Sequence, residues 1–348
     1  MSQWFSDQSV DPELIQRFAP KIYLHPYDRN HPDSVENYFN QVVLKKDGVV
    51  LATTVNAETL RQYNEEACYL EFAHGEFPTA ANDFETGASI VPSGNPNIGT
   101  TNAPVYVKTF TYDTHIDIKY IFFYPFQGFQ TFRVGILHVF STKKRNFEWS
   151  RFGRHEGDWE HITVRLSPDL RLQGVFYGQH GDSIWVEQPP LVDGTHPILL
   201  SALNGHASYW SADTFTKDHV LHPPGLLPIG WLKASDTTVT DGLVVYQPPQ
   251  PLYNLVEWMP YKQPGQQLII LDDNAAAAPW LDFLGQWGPP KLDNTHIDRP
   301  PKMPEDAQDY LFDWAKILKI ALPEKYLYGE APRSPKQQGW WNEKEPYQ

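Results

Sequence analysis

The stretch RHEGDWEHITVRL, residues 154–166, has the alternation and the β-branched residues that are typical of a β-strand. Side chains two apart point to the same face of a strand, so Asp158 and Glu160 share one face with the apolar side chains of its second half. Trp159 and His161 point to the other face. The two carboxylates therefore lie about 7 Å apart, at one end of an otherwise apolar face.

A pair of buried carboxylates is costly in free energy, so this pair should hold a cation or be neutralised by a proton. His155 lies three residues before Asp158, and a turn at Gly157 could bring it back as a third ligand. The group His155, Asp158 and Glu160 therefore predicts a hard-metal site or an acid–base site. The alternative is a strand end whose carboxylates cap backbone amides or pair with the nearby arginines, Arg151, Arg154 and Arg165.

The segment from His155 to His161 resembles the signature of the vacuolar protein sorting-associated protein 62 family. More distantly, it is similar to the Gly-His-Arg-His-Asp-Trp-Glu heptapeptide of necrosis- and ethylene-inducing peptide-like proteins. In that second family the first His, the Asp and the Glu line a metal site in a β-sandwich. The resemblance implies the same role for His155, Asp158 and Glu160, which stand at the matching positions.

Two further motifs of the first family, Gln-His-Gly at His180 and Gly-His-Ala-x-Tyr at His206, each follow a predicted strand. We expect these turns to converge at one rim of a sandwich, with His206 as a further metal ligand and His180 in ligand binding. The alternatives are a core histidine with satisfied hydrogen bonds for His206 and a cross-strand hydrogen bond for His180. Carboxylate oxygens with an imidazole nitrogen suit Mg, Mn or Ca and do not exclude Zn.

An N-terminal block is also similar to the first family, but this chain has Asp28 where that family usually has Glu. His25 and His31 flank this position and are additional site candidates. The alternative is that both are solvent-facing loop histidines.

The chain has 348 residues, with 31 Pro and 22 Gly scattered among short apolar runs, and this composition predicts many strands rather than long helices. We predict a mainly β protein, an antiparallel β-sandwich of jelly-roll type with short N-terminal helices, forming a single domain over residues 1–348. Within it we expect a long loop over 76–103, a helix over 304–322 that packs on the sandwich, and a polar tail over 332–348.

The net charge of −14 argues against nucleic acid as a partner and against a polybasic membrane anchor. One cysteine cannot form an intrachain disulfide, the first residues lack the pattern of a signal peptide, and no apolar run is long enough to span a membrane. We therefore expect an intracellular protein, cytoplasmic or peripheral to endomembranes.

Three functional classes fit these observations. Our main prediction is a divalent-metal-binding module that recognises a small molecule, a lipid head group or a glycan. The second class is a metal-dependent or acid–base enzyme of hydrolase, lyase or cyclase type, acting on a small, partly apolar substrate. The third is a structural protein whose ion ties loops together.

The enzyme reading assigns proton transfer to Asp158, Glu160 or His161. It places the substrate in a pocket rimmed by aromatic side chains, those of Trp159, Trp185 and Tyr209. An enclosed aromatic pocket would favour this reading, whereas a shallow rim would favour the binding module.

Overall fold

The computed structural model describes residues 10–25, 28, 30–73, 103–128, 131–138, 141–148, 153–221, 230–238, 256–258, 268–271, 278–290 and 330–342. The loop predicted over 76–103, except Ala103, and the helix predicted over 304–322 lie outside these residues. That the whole chain forms one domain stays a prediction.

Strands dominate the described part of the chain, which confirms the prediction of a mainly β protein with antiparallel sheets and few helices. The helices are α1 (Pro12–Phe18), α2 (Val35–Phe39) and α3 (Ala57–Gln62), with short 3-10 helices at Pro279–Asp282 and Pro335–Gln337. The strands are β1 (Lys21–Leu24), β2 (Val42–Lys46), β3 (Val49–Ala52), β4 (Cys68–Phe72), β5 (Val105–Thr111), β6 (Ile116–Gln127), β7 (Thr131–His138), β8 (Ser141–Glu148), β9 (His155–Leu166), β10 (Leu172–Gln179), β11 (Asp182–Val186), β12 (Leu191–Val192), β13 (His196–Ser201), β14 (Ser208–Tyr209), β15 (Thr214–Leu221), β16 (Gly230–Thr237), β17 (Val256–Trp258) and β18 (Leu268–Ile270).

The helix starts follow from local sequence. Asp11 caps α1 by accepting from the backbone N–H of Glu13 at 2.9 Å, and Ser34 caps α2 by accepting from that of Asn37 at 3.0 Å. Each helix has at most seven residues, and no helix in the described part of the chain is both long and apolar enough to cross a membrane.

A six-stranded sheet in the order β11-β10-β9-β6-β5-β18 lies at the centre. Strand β6 is buried along its whole length, as its continuous apolar run predicts. Three smaller sheets accompany it, with the orders β12-β13-β1-β17 (β14 adding to β13), β15-β16-β7-β8 and β3-β2-β4. Most pairs are antiparallel, but β1 with β13 and β18 with β5 are parallel.

The central sheet has an apolar core on each face. The first core joins Ile162 and Val164 of β9 to Ile22 of β1, so the β1 sheet covers this face. The second core joins Trp159 of β9 to Leu44 of β2, so the β2 sheet covers the other. Strand β9 therefore lies in the middle of a layered structure, which explains why its polar side chains are also buried.

The C-terminal segment 330–342 packs against the second core. It includes the described part of the polar tail predicted over 332–348, and residues 343–348 lie outside the described residues. Two hydrogen bonds anchor it to Trp287. The backbone N–H of Trp287 donates to Pro332 O at 2.8 Å, and the buried hydroxyl of Ser334 accepts from Trp287 Nε1 at 3.1 Å. The buried Lys119 ammonium donates to the carbonyl of Trp340. These contacts fix the segment beside β9.

Strand pairing between β6 and β9 is interrupted where Pro125 would face Gly157. The ladder pairs Tyr124 with Asp158 and then Phe126 with Glu156, skipping the position between them. Proline has no N–H to donate, and Gly157 has a φ of +59°, which favours glycine. This irregularity lies directly before Asp158 and sets the direction in which the chain enters the part of β9 that carries the two carboxylates.

We expect Gly157→Ala to destabilise the protein much more than Gly48→Ala. Both glycines have positive φ, so each alanine costs about 1–2 kcal/mol of backbone strain. At Gly157 the new Cβ would also lie 2.5 Å from Trp287 O, whereas at Gly48 it meets nothing within 4 Å. This overpacking should add about 1–3 kcal/mol to the loss of unfolding free energy in Gly157→Ala. Equal losses in denaturant unfolding would show that the close approach to Trp287 is not a constraint.

Candidate functional site

Strand β9 presents Asp158 and Glu160 on one face, as its alternation predicts. Both side chains are almost buried, with 6% and 5% of their surface exposed. Trp159 points to the other face, where its ring stacks on Trp280 at a centroid distance of 5.1 Å. Trp159 is therefore largely a core side chain, and it also lines part of a cavity beside this strand end.

His206 lies between two carboxylates. Its Nδ1 is 2.7 Å from Asp158 Oδ2, and its Nε2 is 3.5 Å from Asp28 Oδ2. The ring stacks on Tyr124 with a centroid distance of 3.8 Å and an interplanar angle of 5°, and 1% of the residue is exposed. We call Asp28, Asp158 and His206 the carboxylate–histidine cluster.

Backbone groups hold Asp28 in place within this cluster. Asn204 donates its backbone N–H to Asp28 Oδ2 at 2.8 Å, and Asn30 donates its own to Oδ1 at 2.9 Å. Since Asn204 is in the turn that carries His206, the same turn positions the imidazole and one of its two carboxylates.

The charges of the cluster determine its protonation. Burial alone would lower the pKa of His206, but Asp28 and Asp158 raise it from 6.5 to about 9. Burial favours the protonated form of Asp28, yet His206 and the backbone hydrogen bonds bring the pKa of this carboxyl below 3.8. His206 is therefore an imidazolium at neutral pH, and its charge offsets those of Asp28 and Asp158.

His25 and His31 are not solvent-facing, since each has only 2% of its surface exposed. Burial lowers the pKa of His25 to about 4 and also lowers that of His31. His31 Nε2 donates to the carbonyl of Asp28 at 3.2 Å. Both are neutral neighbours of the cluster at pH 7, and the positive charge stays on His206.

His155 is held by its own turn. Its Nδ1 donates to Gly157 O at 2.7 Å, so a neutral ring carries its proton on Nδ1. Burial lowers the pKa of His155. The structure thus brings Asp158 to His206, with His155 near the same strand end. However, no three His, Cys, Asp or Glu side chains of the described residues converge as metal ligands.

A half-open cavity of about 410 Å³ lies beside this strand end. One wall is β9, with His155, Asp158 and Glu160. The facing wall is the C-terminal segment, with side chains that include Arg333 and Trp340. The lining is mostly polar and the cavity is not enclosed, so it differs from the aromatic pocket that the enzyme reading assumed.

His180 lines the same cavity from the turn after β10. Its Nε2 lies 2.7 Å from Asp236 Oδ2, and the Tyr209 hydroxyl donates to that same oxygen at 2.7 Å. This hydrogen bond joins the turn after β10 to strand β16. Among the described residues Tyr209 does not line the cavity, and it is linked to His180 through Asp236.

Trp185 and His161 lie away from the cavity. Trp185 packs over Gly174 and against Phe176, with ring centroids 4.6 Å apart. His161 stacks on Trp340 at 4.1 Å, and its Nε2 is 3.1 Å from Ser183 Oγ. Both belong to the packing around the sheet.

Sequence reasoning missed Asp28, Asp236 and the C-terminal segment. Asp28 had one signal, its place beside two histidines in a block similar to a known family. Asp236 had none, because an isolated aspartate in a polar strand resembles any surface residue. The segment had Trp340, an apolar side chain within a polar stretch.

Residues 6–222 match the protein family described as Vacuolar protein sorting-associated protein 62, which confirms the first resemblance. A search of curated proteins finds no match.

Solved structures similar to this chain include Necrosis and Ethylene inducing Protein 2 from the causal agent of cocoa's Witches Broom disease. It has 16% sequence identity and a TM-score of 0.30, and the match covers 68% of this chain and 74% of that chain. The non-toxic HaNLP3 protein has 15% identity, 71% and 80% coverage and a TM-score of 0.27. NLPPya in complex with mannosamine has 14% identity, 60% and 71% coverage and a TM-score of 0.28.

Proposed function

The chain belongs to the vacuolar protein sorting-associated protein 62 family, and from this premise we propose that it binds a polar head group or glycan in the cavity beside β9, with the help of a divalent cation. The observation that carries the proposal is the position of Asp158, which lines the half-open cavity and also bonds to buried His206. We further propose an intracellular location, cytoplasmic or peripheral to endomembranes, in keeping with the family.

The shape and lining of the cavity support binding of a polar molecule. A volume of about 410 Å³ is within the range of small-ligand sites. Asp158 and Glu160 can accept hydrogen bonds from ligand hydroxyls, and Arg333 on the facing wall can donate. A ligand with several hydroxyl groups matches this mixture of acceptors and donors.

The donor set of the carboxylate–histidine cluster supports a cation. Asp28 and Asp158 offer carboxylate oxygens, the ligands that Ca, Mg and Mn prefer, and Glu160 stands two residues along the same face. His206 Nε2 makes no hydrogen bond to a described residue and faces Asp28 Oδ2 at 3.5 Å. A divalent cation would supply the positive charge that the His206 imidazolium supplies at neutral pH. His155, from the adjacent turn, is the remaining candidate ligand.

Cation uptake is tested by elemental analysis and by calorimetric titration of the full chain with Ca, Mg and Mn. We expect about one equivalent to bind to the wild type and at least about tenfold weaker binding by Asp158→Asn, which keeps the shape but loses the charge. Asp169→Asn is the matched control, because Asp169 is an exposed aspartate paired with Arg171. Absence of uptake by the wild type at millimolar cation would refute the metal part of the proposal.

Ligand recognition is tested separately with a panel of neutral, amino and acidic sugars and with free lipid head groups. Each is titrated with cation and again with a chelator, and the binding constants are compared. We expect at least one compound to bind only when the cation is present, and Asp158→Asn to lose it. Binding that survives the chelator would make the cavity a metal-independent site.

A further inference from the structure

His180 lines the cavity apart from the carboxylates of β9, and two buried side chains stand behind it. His180, Asp236 and Tyr209 are joined through one oxygen, Asp236 Oδ2. Asp236 and Tyr209 are buried, with 2% and 3% of their surface exposed, while 26% of the His180 side chain remains exposed. Only the histidine of this group reaches the cavity.

The two hydrogen bonds to Asp236 fix the roles of the ring nitrogens. A carboxylate only accepts hydrogen bonds, so the neutral imidazole of His180 must carry its proton on Nε2. Burial and Asp236 raise the pKa of Tyr209, which stays a hydroxyl donor to the same oxygen. The lone pair is therefore on Nδ1, which makes no hydrogen bond to any described residue.

The hairpin turn between β10 and β11 places His180 at its tip. His180 has a φ of +52° and Gly181 a φ of +95°, between the paired ends Gln179 and Asp182. A two-residue hairpin turn of this kind requires positive φ at both of its residues, so these angles follow from the hairpin itself. The hydrogen bond to Asp236 of β16, 56 residues along the chain, then holds the ring at the cavity.

We propose that His180 is a general base of the cavity, oriented by Asp236, and that it gives the protein an acid–base activity on small hydroxyl-bearing molecules or on the water that attacks an ester. In the step, an O–H bond of the water or hydroxyl breaks and an Nδ1–H bond forms. The electron pair stays on the oxygen, and the Asp236 carboxylate balances the imidazolium charge. The inference shares the cavity with the proposed ligand binding but needs neither the cation nor the sugar.

The test uses p-nitrophenyl acetate as the probe with the full chain. His180 takes a proton from water, the resulting hydroxide adds to the acetyl carbon, and the bond to p-nitrophenolate breaks. The acetic acid formed and the imidazolium then release their protons to the solvent, so acetate and p-nitrophenolate are the products. The release of nitrophenolate is followed by absorbance, and the uncatalysed rate is subtracted.

Three variants separate the base from the other histidines. His180→Asn removes the base and suits the positive φ, because asparagine adopts that region more readily than most residues. Asp236→Asn keeps an acceptor for Tyr209 but loses the charge that fixes the tautomer. His115→Asn is the matched control, because His115 lies 3.6 Å from Asp117 but does not line the cavity.

We expect His180→Asn and Asp236→Asn each to lower the protein-catalysed rate at least about tenfold and His115→Asn to leave it unchanged. Equal rates in the wild type and in folded His180→Asn would overturn the proposal, even if Asp236→Asn fails to fold. Cation titration of the same variants distinguishes the two proposals. Normal cation binding with no esterolysis contradicts only the general base, and esterolysis without cation binding contradicts only the metal-dependent binding.

Discussion

Replacing His206 by phenylalanine is expected to lower the free energy of unfolding by about 3–5 kcal/mol at pH 7. Phenylalanine can keep the stack on Tyr124, so little packing is lost. The loss comes from charge, because Asp28 and Asp158 would remain in the interior without the imidazolium between them. Removing one partner from a buried ion pair is far more costly than replacing the whole group.

The pH dependence gives this expectation a second measurable signature. The pKa of His206 is raised from 6.5 to about 9, so its contribution is fully present below pH 6.5 and is lost as the pH rises through about 9. That shift corresponds to about 3 kcal/mol. The stability difference between wild type and His206→Phe should therefore shrink toward alkaline pH.

A triple variant with Asp28→Asn, Asp158→Asn and His206→Phe is the control for this interpretation. It removes all three charges together and should recover a large part of the stability lost in the single variant. Urea unfolding of the three proteins between pH 6 and 10 measures the effect. If the single variant unfolds at the wild-type midpoint at pH 7, His206 does not balance the two carboxylates.

The local part of this site could be predicted from sequence, and the long-range part could not. The period of two along β9 correctly placed Asp158 and Glu160 on one face, because alternation is a property of the strand itself. The contact of Asp28 with the turn at Asn204 joins residues 176 positions apart. Only the packing of the sheets produces such a contact.

Long-range packing also explains why the surroundings of Trp185 and of the C-terminal segment differ from those expected. Trp185 was expected at the rim of the pocket, but pairing of β11 with β10 puts it opposite Phe176. The segment from residue 332 was expected to be a polar tail from its composition. Its few apolar and small residues, Ser334 and Trp340 among them, make the buried contacts instead.

Glu156→Gln is expected to stabilise the protein at neutral and alkaline pH. Glu156 has 2% of its surface exposed, and its Oε2 accepts from the backbone N–H of Phe72 at 2.9 Å. Burial raises the pKa of this carboxyl well above 4.5, against the smaller opposing effect of the Phe72 hydrogen bond. Glutamine has the same shape and keeps an acceptor for Phe72, but it never carries the charge.

The sign follows from proton linkage. Above pH 4.5 the unfolded chain releases the Glu156 proton while the folded protein retains it, so wild-type stability falls as the pH rises toward the folded pKa. The fall is at most about 1.4 kcal/mol per pH unit for one proton, and Glu156→Gln lacks it. The stability of the variant relative to the wild type should therefore increase with each step in pH.

Glu58→Gln is the control, and its stability should follow that of the wild type throughout, because this side chain is 81% exposed. Urea unfolding from pH 5 to 9 measures all three, and parallel curves for wild type and Glu156→Gln would mean that Glu156 is ionised in the folded protein. Because every other titrating group is common to both proteins, the difference between their curves isolates this one carboxyl.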